Sequence, residues 1–495
     1  MTLPGPILTA TRPTRAAGFI ERHGLWDEAQ IEAAAEVEAL ISQRGLRRVR
    51  VGWGDQHGIV RGKTLTVAEF TRSLSEGKDF QLVTAIFDTT NHPIVPPFAA
   101  GNFIGAPELT GLPDGVLVPD PTTFRVLPWA DDTGWVLCDA YFASGNPLPF
   151  STRDLYRRQL AALAGLGYEF VAGLEIEFYV MRLEDPMLAT RDCGWPPTPP
   201  KVSALAHGFQ YLTENRGDEI HDLLCVLEDN LQQLGLPLLS IEDEWGPGQL
   251  EFTFAPQAGL LPADNALLFR TAVKQICRRL GYHATFMARP VFPEFFSTGW
   301  HVHQSLGAPD RDVANEFSDA DGTSRLSAEG MHWVGGLLEH AVAGSVFTTP
   351  TINGYKRYRP DSFAPDRVTW AVENRGALLR VIGEPGSASA HVENRVGDPA
   401  ANPYLYLASQ VAAGIDGLRR RLDPGPPTEE PYKATAEPLP KSLMEAVSAL
   451  RADSFFAEAF GETFVDYILR IKQHEIDRFL QHVTDWEHTE YFEMY

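Results

Sequence analysis

The sequence Gly173-Leu174-Glu175-Ile176-Glu177-Phe178-Tyr179-Val180 alternates apolar and polar residues, and this pattern predicts a β-strand. Because side chains in a strand point to alternate faces, Glu175 and Glu177 lie on one face, opposite the aliphatic and phenyl groups. Two acids that point the same way repel each other unless another charge offsets them. Such a pair is typical of a half-buried strand with a solvated face, but also of two oxygen ligands for a divalent cation.

Three later segments repeat this design, and they favour the metal interpretation. Each alternates apolar residues with Glu or His, so the four strands predict one curved sheet whose polar side lines a cavity. The polar residues are Glu251 in 250–254, with Glu244 just before it, His301, His303 and Ser305 in 300–305, and Glu393 and Arg395 in 391–396. Five glutamates and one histidine are enough for two divalent sites, and oxygen-rich ligands favour Mg²⁺ or Mn²⁺ over Zn²⁺.

A basic and aromatic segment runs from Asn353 to Pro365, and its Gly and Pro residues predict a loop. Arg357 lies in this loop, and Arg375 and Arg380 follow it. Guanidinium groups make planar, two-pronged contacts with carboxylates and phosphates. Scattered arginines are usually surface residues, but this grouping beside apolar strands indicates an anion-binding site.

Composition excludes several classes of partner. The 495 residues carry 65 acids against 42 Lys and Arg, a formal net charge of -23, which disfavours nucleic acid and anionic membrane as partners. The four cysteines are far apart and form no Cys-x-x-Cys motif, so we expect free thiols. The first residues lack the apolar core of a signal peptide, and no window reaches a membrane-spanning length. These features predict a cytoplasmic protein.

The chain is predicted to contain an arm at 1–24, a small α+β domain at 25–146 and a catalytic domain at 147–495. Helices are predicted at 27–45, 66–74, 151–163, 219–234, 263–280, 331–346 and 399–422, and the segment 443–482 is predicted to be mostly helical. Strands at 48–53 and 59–67 flank a hairpin turn, so the P-loop-like stretch 58–64 is interpreted as hairpin. The catalytic domain lacks regular β-α alternation, which favours the α+β class over a doubly wound sheet.

Taken together, these motifs resemble the glutamine synthetase family. The resemblance spans most of the chain and ends at Asp398-Pro399-Ala400-Ala401-Asn402-Pro403-Tyr404, directly after the Glu393 strand. It implies an N-terminal β-grasp domain, a catalytic domain with a curved antiparallel sheet, and ATP as cofactor. It also implies a homo-oligomer, usually a dodecamer of two stacked hexameric rings, with active sites shared between neighbouring subunits.

The resemblance also implies a role for each site residue. Glu177, Glu244 and Glu251 would hold one Mg²⁺ or Mn²⁺ ion, and Glu175, His301 and Glu393 another, with two or more ions per site. Arg357 and Arg395 would grip glutamate and the acyl phosphate, with His301 beside them; Arg375 and Arg380 would face the nucleotide phosphates, and His303 and Ser305 the nucleotide. Arg357 and Arg375 are the candidate catalytic residues. In the family mechanism, glutamate's γ-carboxylate takes a phosphoryl group from ATP, and an amine then displaces phosphate.

Departures from the family pattern concern the amine. In ammonia-using members a Glu just before the loop's Ala-Pro helps to bind and deprotonate ammonium, whereas this chain has Phe363 there. The segment whose Asp also serves ammonium has no clean counterpart, and Asp88 is only a loose candidate. Replacing a carboxylate with a phenyl ring removes charge and adds apolar surface, so Phe363, with Tyr355, Tyr358 and Phe296, would suit an organic amine.

We therefore expect a glutamate–amine ligase that makes γ-glutamyl amides from an alkyl or aromatic monoamine in amine catabolism. Three alternatives stay open at this point. They are a glutamine synthetase that uses ammonia, a non-catalytic ring-forming scaffold, and a guanidine-phosphorylating kinase of the same superfamily.

Overall fold

The computed structural model describes residues 17–98, 107–308, 315–359 and 362–495. Two sheets with helices packed around them confirm the predicted α+β class. Most of the predicted N-terminal arm lies outside the described residues, but Phe19–His23 forms a helix where an irregular arm was predicted. It forms because Phe19 and Ile20 bury their side chains against Val116 and Val118. Among the described residues, no helix combines the length and apolar character that a membrane crossing requires.

The N-terminal sheet precedes the predicted catalytic domain. Its strands are β1 Arg48–Gly54, β2 Val60–Thr66, β3 Lys78–Gln81, β4 Asp114–Pro119, β5 Arg125–Val126 and β6 Thr133–Tyr141. They are ordered β2-β1-β6-β4-β3 with β5 against β6, and β1 runs parallel to β6. The predicted hairpin is confirmed, because Asp55 accepts hydrogen bonds from the N–H groups of His57 and Ile59, both at 2.9 Å, and closes the β1–β2 turn. The P-loop-like stretch is therefore a turn and a strand.

The second sheet carries all four strands on which metal ligands were predicted. Its strands are β7 Glu169–Asp185, β8 Lys201–Ala204, β9 Leu238–Asp243, β10 Gln249–Ala258, β11 Tyr282–Thr285, β12 Trp300–Gly307, β13 Trp370–Val372, β14 Leu379–Ile382 and β15 His391–Asn394. The order is β13-β14-β15-β12-β7-β10-β9, with β8 and β11 both paired with the C-terminal part of β7. The sheet is curved and antiparallel as predicted, except that β13 and β14 pair in parallel.

The described part of the chain contains fourteen α-helices. They are α1 Phe19–His23, α2 Glu28–Arg44, α3 Val67–Glu76, α4 Thr152–Ala164, α5 Glu214–Glu219, α6 His221–Gln233, α7 Leu261–Arg279, α8 Ala328–Glu339, α9 Ala341–Thr348, α10 Pro403–Arg420, α11 Leu443–Ala452, α12 Phe455–Phe460, α13 Glu462–Leu480 and α14 Asp485–Tyr491. Of these, α10 is buried almost throughout. It approaches α8 so closely that a Cβ on Gly417 would lie 2.1 Å from the His332 carbonyl oxygen, which only glycine avoids.

Two predicted helices differ from the observed ones. The predicted helix at 331–346 is wrong in its continuity, because it breaks into α8 and α9 at His340, which contacts Asp416 (2.8 Å) and stacks on Phe455. The predicted helix at 399–422 begins only at Pro403, because Asn402 caps it and accepts a hydrogen bond from the Tyr404 N–H at 3.0 Å. The predicted domain boundary between residues 146 and 147 stays a prediction.

Candidate active site

The register of four neighbouring strands brings the predicted ligands side by side. Glu177 on β7 lies directly opposite Glu251 on β10, and Glu175 lies opposite His301 on β12. On the next strand pair, His303 lies opposite Glu393. Directly opposed residues have Cβ atoms about 4.5–5.5 Å apart and share a face of the sheet. The carboxylates therefore converge because the sheet aligns them, although they are far apart in sequence.

Two groups of these side chains have ligand atoms close enough to share a cation. In one, Glu175, Glu251 and His301 offer ligand atoms within 4.8 Å of one another, and in the other Glu175, His303 and Glu393 do so. His301 Nδ1 lies 2.5 Å from Glu175 Oε1, and His303 Nε2 lies 3.2 Å from Glu175 Oε2. Glu175 thus lies between the two groups, which cut across the predicted division of ligands into two sets.

The electrostatics of the cluster fit a divalent cation. Burial, together with the charges of Glu175 and Glu177, raises the pKa of Glu251 to about 11. Burial and the charge of Glu177 raise the pKa of Glu244 to about 8. Within the described ranges, neither Glu244 nor Glu251 forms an ion pair with Lys or Arg. Clustered carboxylates without a protein counter-charge are the donor set that Mg²⁺ or Mn²⁺ prefers.

Gln249 holds the carboxylate of Glu177. Its Nε2 donates to Glu177 Oε2 at 2.7 Å, and its Oε1 accepts from the Tyr179 hydroxyl (3.1 Å) and the Gly246 N–H (3.0 Å). With these three bonds the amide has a fixed orientation and directs Glu177 into the cluster. This role was not predicted from the sequence, although Gln249 lies two residues before Glu251 and therefore shares its strand face.

The predicted arginines differ in how far protein groups satisfy them. Arg395 pairs with Glu393 and donates to the Arg375 carbonyl at 3.1 Å, and Arg380 bridges Glu393 (3.2 Å) and Glu373 (2.5 Å). Arg357 is 2 % exposed and donates one bond to the Val396 carbonyl at 2.8 Å, and its buried Nε has no partner. An unpaired buried guanidinium nitrogen indicates space for an anionic ligand.

Gly299 marks that space. A Cβ on this residue would lie 2.8 Å from His301 Nε2, 3.2 Å from Glu177 Oε1 and 3.4 Å from Arg357 Nη2. His301 and Glu177 were predicted to bind metal ions, and Arg357 was predicted to bind glutamate. The structure brings the three side chains together around Gly299. A larger residue here would fill the volume between them.

The aromatic residues predicted around the amine do not form one group. Tyr355 is buried, and the half-buried Tyr358 packs against the same core while its hydroxyl bonds Thr349 Oγ1 at 2.6 Å. Phe363 is 63 % exposed and, among the described residues, contacts no other aromatic ring. Phe296 is exposed. Its carbonyl accepts a hydrogen bond from the Tyr179 hydroxyl at 3.0 Å, which places it near the carboxylates.

Two other predicted residues lie at separate places. His303 Nδ1 lies 3.0 Å from His391 Nε2, so the ring that was predicted to face the nucleotide also contacts a second histidine. Ser305 lies half-buried farther along β12. Asp88 is buried and pairs with Arg478, so the loose ammonium candidate is already engaged within the chain. The nucleotide contacts of His303 and Ser305 stay predictions.

Comparison with known proteins gives this arrangement a family. The model of the glutamine synthetase catalytic domain matches residues 149–491. The γ-glutamylanilide synthase of an Acinetobacter species is 43% identical over 96% of this chain and 99% of that protein. The glutamate–isopropylamine ligase of a Pseudomonas species is 30% identical over 93% of this chain and 98% of that protein. A solved structure of GmaS in complex with ADP superposes with a TM-score of 0.78 at 26% identity, covering 92% of this chain and 99% of that one. Because the family model spans most of the chain and the carboxylate cluster lies within it, this protein belongs to the glutamine synthetase family.

Proposed function

We propose that this protein is a glutamate–amine ligase that uses ATP to join the γ-carboxylate of glutamate to an organic monoamine. The observation that carries the proposal is the cluster of Glu175, Glu177, Glu251 and His301 beside Arg357, which combines a cation site with an anion site. Phosphoryl transfer to a carboxylate needs both, because charge must be neutralised on donor and acceptor alike.

The cations would be held by two sets of side chains. Glu177, Glu244 and Glu251 would bind one ion, and Glu175, His301 and Glu393 the other, as the family resemblance implies. The two groups of close ligand atoms, which both include Glu175, support a cation site at this place on the sheet. Bound divalent ions would neutralise the phosphates of ATP. Either Mg²⁺ or Mn²⁺ suits these oxygen ligands.

In the first step, an oxygen of the γ-carboxylate of glutamate attacks the γ-phosphorus of ATP, and the bond to ADP breaks. Arg357 holds glutamate, supported by its unpaired Nε, and Arg395 stabilises the acyl phosphate. Arg375 and Arg380 face the nucleotide phosphates. No residue of the chain acts as a nucleophile, so catalysis comes from positioning and from charge stabilisation.

In the second step, the amine nitrogen attacks the acyl carbon, the bond to phosphate breaks, and one proton leaves the nitrogen. An alkylammonium ion must lose a further proton before it can attack, and Phe363 supplies no carboxylate to take it. An aromatic amine is a much weaker base, because its lone pair is delocalised into the ring, so it arrives neutral. This difference, and the similarity to a γ-glutamylanilide synthase, favour an aromatic amine.

We propose the same assembly that the family resemblance implies, a dodecamer of two stacked hexameric rings in which neighbouring subunits complete each active site. Native mass spectrometry of the purified chain tests it. A twelve-subunit species supports the proposal, and an active monomer contradicts it.

The activity is tested by measuring ADP release with glutamate, ATP, Mg²⁺ and a panel of aniline, isopropylamine, ethanolamine and ammonia. We expect kcat/KM for at least one organic amine to exceed that for ammonia, with the γ-glutamyl amide identified by mass spectrometry. The Phe363→Glu variant provides a matched comparison, and we expect it to gain activity with ammonia. If ammonia is the best substrate of the wild-type enzyme, the protein is a glutamine synthetase instead. If no amine releases ADP, the scaffold alternative holds.

A further inference from the structure

Four aromatic side chains, termed the aromatic wall, form an exposed patch: Phe209, Tyr211, Trp245 and Phe296. Their exposed fractions are 55%, 43%, 42% and 40%, respectively. Tyr211 stacks on Trp245 with centroids 5.2 Å apart, Phe209 meets Phe296 edge to face at 5.6 Å, and Trp245 lies 6.3 Å from Phe296. Large aromatic residues are normally buried, so a continuous exposed group of them marks a surface that binds something.

The aromatic wall adjoins the carboxylate cluster. Trp245 follows Glu244, and its N–H donates to Glu244 Oε2 at 3.3 Å. On the other side, the Tyr179 hydroxyl, which bonds Gln249 and so the Glu177 network, donates to the Phe296 carbonyl at 3.0 Å. A molecule lying against the wall is therefore within reach of the proposed reaction centre.

The backbone of the aromatic wall adopts an unfavourable conformation at Phe209 that hydrogen bonds hold in place. Phe209 has φ of 65°, a left-handed conformation that residues with a side chain rarely adopt. Its N–H donates to the Trp245 carbonyl at 2.8 Å, and the Leu212 N–H donates to the Asp243 carbonyl at 3.1 Å, which ties the two segments together. Strained residues that neighbouring contacts hold in place occur frequently at ligand-binding sites.

We infer that the aromatic wall binds the ring of an aromatic amine substrate and directs its nitrogen towards the acyl phosphate. The inference rests on the proposed function and names the residues that determine which amine is used. Ring–ring contacts stabilise a bound aryl group beyond what its apolar area alone provides, because the edge of one ring and the face of another attract each other. An alkylammonium ion could also lie on an aromatic face, but it arrives charged and needs a base that Phe363 does not provide.

Aniline and cyclohexylamine test the inference, because they have similar size but differ in aromaticity and charge. We expect the wild-type enzyme to prefer aniline in kcat/KM. The variants Phe296→Leu and Phe209→Leu, which keep apolar volume but remove a ring, should each lower kcat/KM for aniline by roughly 10-fold, chiefly through KM. They should change kcat/KM for cyclohexylamine less than about 2-fold and leave the KM for ATP unchanged. Trp486→Leu, at an exposed ring on α14 outside the aromatic wall, is the control and should change kcat/KM for neither amine.

Binding of the γ-glutamylanilide product, measured by calorimetry, gives a readout that does not depend on turnover. It should weaken in Phe296→Leu and not in Trp486→Leu. If the enzyme makes amides but the wall variants lower both amines equally, or neither, the inference is wrong and the proposed function stands. If the wild-type enzyme makes no amide from any organic amine, the proposed function fails first.

Discussion

Two clusters of buried carboxylates lie in different parts of this molecule, and they differ in what balances their charge. Beside the N-terminal sheet, Arg153 bonds Asp120 (2.8 Å), Asp139 (3.1 Å) and Asp264 (2.8 Å), and Arg157 adds a bond to Asp139 at 2.7 Å. On the catalytic sheet, Glu251 has other carboxylates as neighbours. Buried charges are normally paired within the protein, and among the described residues Glu244 and Glu251 form no ion pair with Lys or Arg, which indicates that their counter-charge comes from a ligand.

The pKa values of one carboxyl group in each cluster, Asp139 and Glu251, move in opposite directions. Burial raises the pKa of Asp139, but Arg153 and Arg157 outweigh this and hold it below its ordinary value. In the catalytic sheet burial also raises the pKa of Glu251, and its carboxylate neighbours raise it further. The same chemical group therefore stabilises the fold in one place and awaits a cation in the other.

Removal of the Arg153 guanidinium from the first cluster should have the largest effect. Arg153→Leu leaves three aspartates of the first cluster with only Arg157 nearby, so we expect about 3–5 kcal/mol lower free energy of unfolding. Urea denaturation measures it. Arg158→Leu on the same helix is the control, because Arg158 makes a surface ion pair with Asp154 (3.3 Å) worth at most about 1 kcal/mol. Equal losses in both variants would contradict a special role for the buried cluster.

Removal of a carboxylate from the second cluster should lower activity but not the stability of the metal-free protein. Glu251→Gln keeps the shape, and because the raised pKa of about 11 leaves the metal-free Glu251 carboxyl protonated and neutral at pH 7, metal-free stability should not fall. Ligase activity should fall about 100-fold, because a cation ligand is lost. Saturating Mg²⁺ should stabilise the wild type by about 2.7 kcal/mol at a hundred times Kd, and the variant much less.

Thermal unfolding in EDTA and in Mg²⁺ separates these effects. Glu169→Gln, at the exposed start of β7, is the matched control and should behave as wild type in both conditions. If Mg²⁺ stabilises Glu251→Gln as much as the wild type, Glu251 is not a metal ligand.

The sequence predicts the features that depend on neighbouring residues, but not those that depend on contacts between distant segments. The alternation around Glu175 predicts one strand and its faces, and four such strands predict a shared sheet, as observed. Local pattern does not give register, so the pairing of Glu175 with His301 and Glu177 with Glu251 emerges only from the folded sheet. The sequence therefore predicts that these Glu and His residues share one face of a sheet, but not which of them lie directly opposite each other.

Residues that lack periodicity escaped prediction. Phe209 and Tyr211 lie in a segment with left-handed backbone and long-range ties to Trp245, for which no repeat exists in the sequence. Tyr355 and Tyr358 were predicted near the amine because they are close to Phe363 in sequence, but both rings pack against the core, Tyr355 buried and Tyr358 half-buried. In a loop, sequence proximity says little about direction, because each turn redirects the next side chain.

The ion pairs of the first cluster should make the free energy of unfolding depend on pH, with a smaller effect than the loss of Arg153. Asp139 has a lowered pKa, so its contribution is present above the unfolded-state value near 4 and is lost as pH falls through the lower folded value. Asp139→Asn should therefore cost about 2 kcal/mol at pH 7, where hydrogen bonds to charged groups are lost. The difference between wild type and variant should shrink below about pH 4. A difference that stays constant down to pH 3 would contradict the ion-pair account.

The smallest effect should come from Gln249, which orients a ligand of the second cluster without touching a substrate. Gln249→Leu removes the 2.7 Å bond to Glu177 and leaves the Gly246 N–H without its acceptor. We expect roughly a 10-fold higher Mg²⁺ concentration for half-maximal rate, with kcat largely restored at saturating Mg²⁺. Thr253→Val is the control, because Thr253 lies on the same strand face but bonds Ser240 (2.6 Å). If kcat falls at all Mg²⁺ concentrations while the Mg²⁺ requirement is unchanged, Gln249 acts on a reaction step and does not position Glu177.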